Sequence, residues 1–199
     1  MSEKQQTQTL SYADKVKIEP PKPAILPTIP PTTTTEYFQD SRGHHSLHDN
    51  WVLWYHDNND DWSKESYRRI AEFGTVEEFY GIYNNLPSIV HGMWFLMRKL
   101  YNNKPIYPLW EDPAVINGGA WLFKVHKSQA ENSWLNLSEL MVGETICRDS
   151  EEIMGLSISP KKHYVTIRVW NRDKNKTDTS IFPQDIKNII FSEAIYKPH

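Results

Sequence analysis

The chain has 199 residues, room for one domain of ordinary size plus a tail, and enough length to build a core without disulfide or metal staples. A net charge of −3 excludes a global basic field that would pull the protein onto bulk nucleic acid, and the single cysteine, Cys147, excludes an intrachain disulfide. Hydrophobic residues make up 39% and aromatics 13%, with eight Trp and ten Tyr, an aromatic load that must go into a core or onto a ligand.

The opening MSEKQQTQTL carries no apolar stretch of the kind a signal peptide needs, and the longest apolar run is five residues, Met93 to Met97. A cytoplasmic protein without a membrane span is expected. Residues 1 to 43 read as a disordered Pro/Thr-rich tail, with six of the 13 prolines between Pro20 and Pro31 followed by Thr32 to Thr35. The domain is expected from residue 44 to 199.

Within it, Trp51 to Tyr55 reads as a strand and residues 66–73 as its hairpin partner, with a polar loop between them that holds Trp62. Thr75 and Glu78 form a T-x-x-E capping box, and Val76, Phe79, Tyr80 and Tyr83 follow helical spacing. Residues 92–99 and 119–127 read as strands, the second alternating after the Gly118-Gly119 turn. Residues 133–145 form a second helix with Trp134, Leu137 and Met141 on one stripe. Residues 155–159 and 163–170 make a hairpin around Pro160, Lys161 and Lys162, with Val165, Ile167 and Val169 on one face and Thr166, Arg168 and Trp170 on the other. A short helix over 183–188 and a last strand over 188–196 close the chain. Strands joined by hairpins, without βαβ alternation, predict an α+β fold with an antiparallel sheet and helices on one face.

Two tryptophans, Trp62 and Trp110, fall in polar loops. The second stands beside Glu111 between Pro108 and Pro113, which exclude a helix or central strand there. Either both indoles fold back to seal the core, or they stack on a flat ligand. Unpaired bases are held by aromatic stacking plus hydrogen bonds to their edges. A carboxylate only accepts, so it matches the N1 and N2 donors of guanine, and an indole sandwich gains further from a positively charged base such as 7-methylguanine. His44, His45 and His48 lack a Cys or a fourth ligand at zinc spacing, so no metal site is expected. Asp57, Asp60 and Asp61 read as a polar turn. No phosphate-cradling Gly loop, metalloprotease helix or G-x-S-x-G is present, which argues against an enzyme and against a cofactor.

The stretches HSLHDNWVLWY, DDWSKES, GTVEEFYGIYNNL, PLWED, GGAWLF, WLNLSELMVGE and HYVTIRVW, in that order, resemble the eukaryotic translation initiation factor 4E family of messenger RNA cap-binding proteins, from about His45 to Tyr196. The resemblance implies a curved antiparallel sheet, helices on its convex face and a slot for 7-methylguanosine on its concave side. Trp62 and Trp110 match the pair that sandwiches the base, Glu111 the carboxylate reading its edge, and Trp170 the residue touching the methyl group. On the phosphate side Lys161 matches a family cation, while His163, Thr166 and Ala120 stand where Lys, Lys and Arg are common. His45, Leu47, Val76, Tyr80, Leu135 and Glu139 match the surface for a scaffold initiation factor of the 4G type, or a competing 4E-binding protein, docking through a short Tyr- and Leu-bearing helix. Tyr80 replaces the usual Trp and HSL the usual HPL. The implied function is cap binding linked to a scaffold for translation initiation. A cap-binding repressor, or an interaction protein with weak cap affinity, are the alternatives. A monomer apart from its partners is expected.

Overall fold

The computed structural model describes residues 39–57, 60–100 and 102–199; the expected tail lies outside them up to residue 38. The described chain carries β1 (Ser46–His56), β2 (Arg68–Thr75), α1 (Val76–Tyr83), β3 (Met93–Arg98), β4 (Gly119–His126), α2 (Ala130–Val142), β5 (Ile153–Pro160), β6 (Tyr164–Asn171) and β7 (Ile195–Pro198). The strands form one curved sheet in the order β2-β1-β3-β5-β6-β4-β7, with every neighbouring pair antiparallel. The expected α+β class is therefore observed.

Alternation along each strand sorts the core into two layers. Trp51 and Leu53 on β1, Trp94 and Leu96 on β3, Trp121, Phe123 and Val125 on β4, and Val165, Ile167 and Val169 on β6 face the helices, where Phe79 of α1 and Trp134, Leu137 and Met141 of α2 cover them. Val52, Trp54, Phe95, Met97 and Trp170 face the opposite, concave side together with Ile106 and Val115 from the β3–β4 loop. The helix stripe and the two faces of β6 are as the periodicity predicts.

Helix α1 starts where the capping residues put it. Thr75 Oγ1 accepts from Glu78 N–H at 3.2 Å. The reciprocal bond departs from the usual box: Glu78 Oε2 accepts from Gly74 N–H at 3.0 Å. Ahead of β1, Gln39 bridges His45, and Arg42 reaches Asp40 and Glu78, so residues 39–43 fold back onto the start of α1. Gly118 must lack a side chain, because a Cβ there would lie 1.9 Å from the Asn171 carbonyl oxygen.

The C-terminal elements correct the sequence reading. Residues 183–188 are turns, not a helix, and Pro183 together with a single apolar residue, Ile186, gives too little apolar face for one. The last strand is only Ile195–Pro198, because a 3-10 turn at Phe191–Glu193 buries Phe191 against Phe182 and interrupts the run.

One buried ion network ties the sheet to the helical layer. Arg98 is 5% exposed, and its guanidinium meets Asp49, Glu144 and the carbonyls of Ser150 (3.0 Å) and Ile153 (3.1 Å) while lying over the Trp51 ring.

Candidate functional site

Six of the eight tryptophans are buried at 7% exposure or less. Trp62 and Trp110 are the two that are not, at 52% and 60%. The alternative in which both seal the core is thereby removed.

One exposed indole is held from beneath, and the other is carried on a pinned loop. Trp62 stacks on His56 with centroids 4.7 Å apart and planes 17° apart. His56 is fully buried at the end of β1; its Nε2 donates to the Asp61 carbonyl at 2.8 Å and lies 3.0 Å from Ser66 Oγ. The polar turn contributes as well, since Asp61 accepts from Ser63 N–H at 2.9 Å and its carboxyl is held below the usual range, chiefly by that bond.

Trp110 and Glu111 sit in a chain of turns spanning 106–118, anchored by buried Ile106 and Val115. Asp112 pins this loop, its two carboxylate oxygens accepting from Tyr107 N–H at 3.0 Å and Ala114 N–H at 2.9 Å. The two loops meet: Lys64 Nζ stands 3.8 Å over the Tyr107 ring, and Tyr107 packs on Trp54 with centroids 4.8 Å apart. Glu111 is exposed, and its charge acts on the Tyr67 hydroxyl, which burial first and this carboxylate second push up to about 12.

A ring ladder crosses the concave face from one loop to β6. It runs His56–Tyr67 (4.5 Å), Tyr67–Phe95 (5.5 Å) and Phe95–Trp170 (6.5 Å). Trp170 is 7% exposed, its indole N–H donates to Ser157 Oγ at 2.9 Å, and the His199 ring packs on it at 4.8 Å. Lys161 and His163 lie exposed at the β5–β6 hairpin tip, which the Lys161 N–H to Tyr164 carbonyl bond closes at 2.8 Å. Thr166 and Ala120 are buried in the sheet.

On the opposite face Tyr80 is 42% exposed, and its hydroxyl donates to Glu139 Oε1 at 2.8 Å, joining α1 to α2. Val76, Leu47 and Leu135 are half-buried, the last two packed on the core edge. His45 is exposed, with its ring and its N–H both on the Glu77 carboxylate. Among the described residues, ligand atoms of His48, Asp49 and Glu144 gather within 4.8 Å of one another, but both carboxylates already face Arg98.

The sequence reading missed His56, which supports the Trp62 ring, and Asp112, which pins the loop that carries Trp110. Their signals are visible in hindsight: a His closing an apolar strand run, and an Asp before Pro with free N–H groups on either side.

The family model described as eukaryotic initiation factor 4E matches residues 46–199. The chain belongs to the eukaryotic initiation factor 4E family. It is 32% identical over 145 residues to the eukaryotic translation initiation factor 4E of Aplysia californica, covering 68% of this chain and 65% of that relative. It is 35% identical over 137 residues to eukaryotic translation initiation factor 4E-1 of Zea mays, covering 65% and 60%. The chain thus spans under two thirds of the length of these relatives. Among solved structures, Ascaris suum eIF4E-3 with an m7G cap superposes with a TM-score of 0.64 at 26% identity, covering 78% of this chain and 92% of that one. The complex of C. elegans eIF4E-3 with the 4E-binding protein Mextli and cap analog gives 0.60 at 28% identity, covering 67% and 77%. This 4E-family chain has the fold of those proteins, and no helix among its described residues is long and apolar enough to cross a membrane.

Proposed function

We propose that this 4E-family chain binds the 7-methylguanosine cap of messenger RNA on its concave face and links it, through the helical face, to a scaffold protein in translation initiation. The observation that carries this is the pair of exposed indoles, Trp62 and Trp110, on two loops that touch each other through Lys64 and Tyr107. A cationic base between two indoles gains stacking and cation–π energy, the first worth about 1–3 kcal/mol per base. Glu111 accepts the N1 and N2 protons of guanine, a charge-assisted pair that other bases cannot offer. Trp170 offers the methyl group the edge of its indole, fixed by the bond to Ser157. Lys161 and His163 add charge from the hairpin tip.

Solved relatives named as complexes with caps and with a 4E-binding protein support both halves of the reading. His45, Leu47, Val76, Tyr80, Leu135 and Glu139 form the partner surface, where a short amphipathic helix lays a Tyr and a Leu across α1 and α2. The role is binding rather than catalysis, in the cytoplasm, with the tail before residue 44 outside the binding domain apart from the Asp40–Arg42 turn.

Retention on immobilised 7-methylguanosine triphosphate tests the reading. Specific elution by the methylated nucleotide, with a scaffold in the eluate, is the expected result. Elution without a scaffold supports a cap-binding repressor, and no retention overturns cap binding.

A further inference from the structure

A cation in the interior of the concave face has no counterpart among the charges expected at the hairpin tip. Arg168 stands on β6 two residues from Trp170, on the same face of the sheet. It is half-buried, and the one hydrogen bond of its guanidinium among the described residues is from Nη1 to Ser159 Oγ at 3.2 Å. No carboxylate stands near it in the sheet: Gly155, Ser157 and Ser159 on β5 and Ala120, Leu122 and Lys124 on β4 are in register with Trp170, Arg168 and Thr166. Burial without a compensating anion holds the guanidinium below its ordinary value. A structural arginine this enclosed normally meets a carboxylate, as Arg98 does in the same protein.

The direction of the side chain matters as much as its exposure. Ser159 is the register partner of Thr166, so the Arg168 head group leans away from its own partner, Ser157, and lies over the Thr166 position. A small hydroxyl residue at 166 leaves the space, and the arginine two residues on brings its charge there. That spot is about 13 Å from Trp170 along the strand, whereas the hairpin tip beyond Tyr164 is roughly 20 Å away or more. Lys124, in register with Thr166 on β4, adds a second cation on the same face.

Resting on the cap-binding reading, we infer that Arg168 is the main ligand of the phosphate chain of the bound nucleotide, with the hairpin-tip Lys161 an outer contact. A guanidinium offers a planar fork that grips phosphate oxygens in pairs, and an anion there supplies the charge that burial leaves uncompensated. The ligand class is a nucleoside 5′-triphosphate or diphosphate rather than a nucleoside.

Binding of 7-methylguanosine and of 7-methylguanosine triphosphate is titrated on wild type, Arg168→Gln, Arg168→Lys and Lys161→Ala, at several salt concentrations. The expected result is that Arg168→Gln lowers triphosphate affinity at least tenfold, flattens its salt dependence and leaves nucleoside affinity unchanged. Arg168→Lys keeps the salt dependence but loses part of the affinity, and Lys161→Ala loses less than Arg168→Gln. A wild type that prefers the triphosphate and an Arg168→Gln variant that keeps the same preference overturn the inference. Equal loss of nucleoside and triphosphate binding in both Arg168 variants, a purely structural role, overturns it too. A wild type that binds neither compound overturns the cap reading itself, an outcome distinct from failure of the Arg168 assignment.

Discussion

At the scale of single residues, the proposed base slot rests on two indoles that lie largely outside the core. Trp62 and Trp110 are more than half exposed, so removing either removes little core area. Trp62→Ala and Trp110→Ala should each weaken binding of 7-methylguanosine triphosphate by about 1–3 kcal/mol. Their melting temperatures should move by an amount equivalent to no more than about 0.5 kcal/mol. Fluorescence titration beside a thermal melt checks both halves, and a variant that binds as wild type does would refute the sandwich. Glu111→Gln keeps the shape but replaces one acceptor by a donor facing a guanine donor. Its loss should be at least as large, roughly 1–3 kcal/mol, and confined to guanine nucleotides. Trp62, Trp110 and Glu111 were legible in the sequence as candidates, because a large ring in a polar or Pro-bracketed loop breaks the burial pattern; what the structure adds is their exposure. His56, Asp112 and Arg168 were not, because a buried His, a turn Asp and a strand Arg look ordinary until register and contacts show what each one faces.

At the scale of elements, α1 and α2 present a surface rather than only covering the sheet. Tyr80 keeps its ring outside and bonds across to Glu139, so its truncation opens no cavity. Tyr80→Ala should abolish binding of a Tyr- and Leu-bearing helical peptide while cap affinity and melting temperature stay near wild type. Early melting with loss of both ligands would mean that Tyr80 is structural. The turn over residues 39–45 should respond to acid. The His44 N–H first, and Arg42 after it, hold the Asp40 carboxyl down to about 2 from 3.8, and Glu78 is lowered by the Gly74 N–H and then by Arg42. Folded values below the unfolded ones mean these ties are complete above the unfolded values and are lost as pH falls toward the folded ones. Protection factors at the His44 and Gly74 amides, relative to their intrinsic exchange rates, should therefore fall as pH drops from about 4.5 to 2 while β3 and β5 stay protected. Protection unchanged at pH 2 would contradict that account. Most strands and both helices were legible from periodicity, since β6 alternates strictly and α2 carries Trp134, Leu137 and Met141 at helical spacing. The 183–196 region was not, because its apolar residues serve a 3-10 turn packed on Phe182, a tertiary demand with no local period.

At the scale of the whole molecule, one curved sheet separates two faces, with the ring ladder and the exposed indoles on one side and the helices on the other. Arg98 holds the sheet to the segments behind it. Arg98→Ala leaves Asp49 and Glu144 without their buried cation, and should cost about 3–5 kcal/mol by denaturant unfolding, whereas Arg98→Met should cost less because its chain still covers Trp51. Equal, small effects of the two would mean that the network is solvated. On the proposed reading, separation of the faces lets cap and partner be held at once, with the sheet between them. The central claim is that a methylated, positively charged guanine is the ligand of the Trp62–Trp110 slot. Side-by-side tryptophan-fluorescence titration with 7-methylguanosine triphosphate and guanosine triphosphate tests it most directly. The account predicts strong quenching and at least tenfold tighter binding for the methylated nucleotide; equal affinities for the two, or no quenching by either, would contradict it.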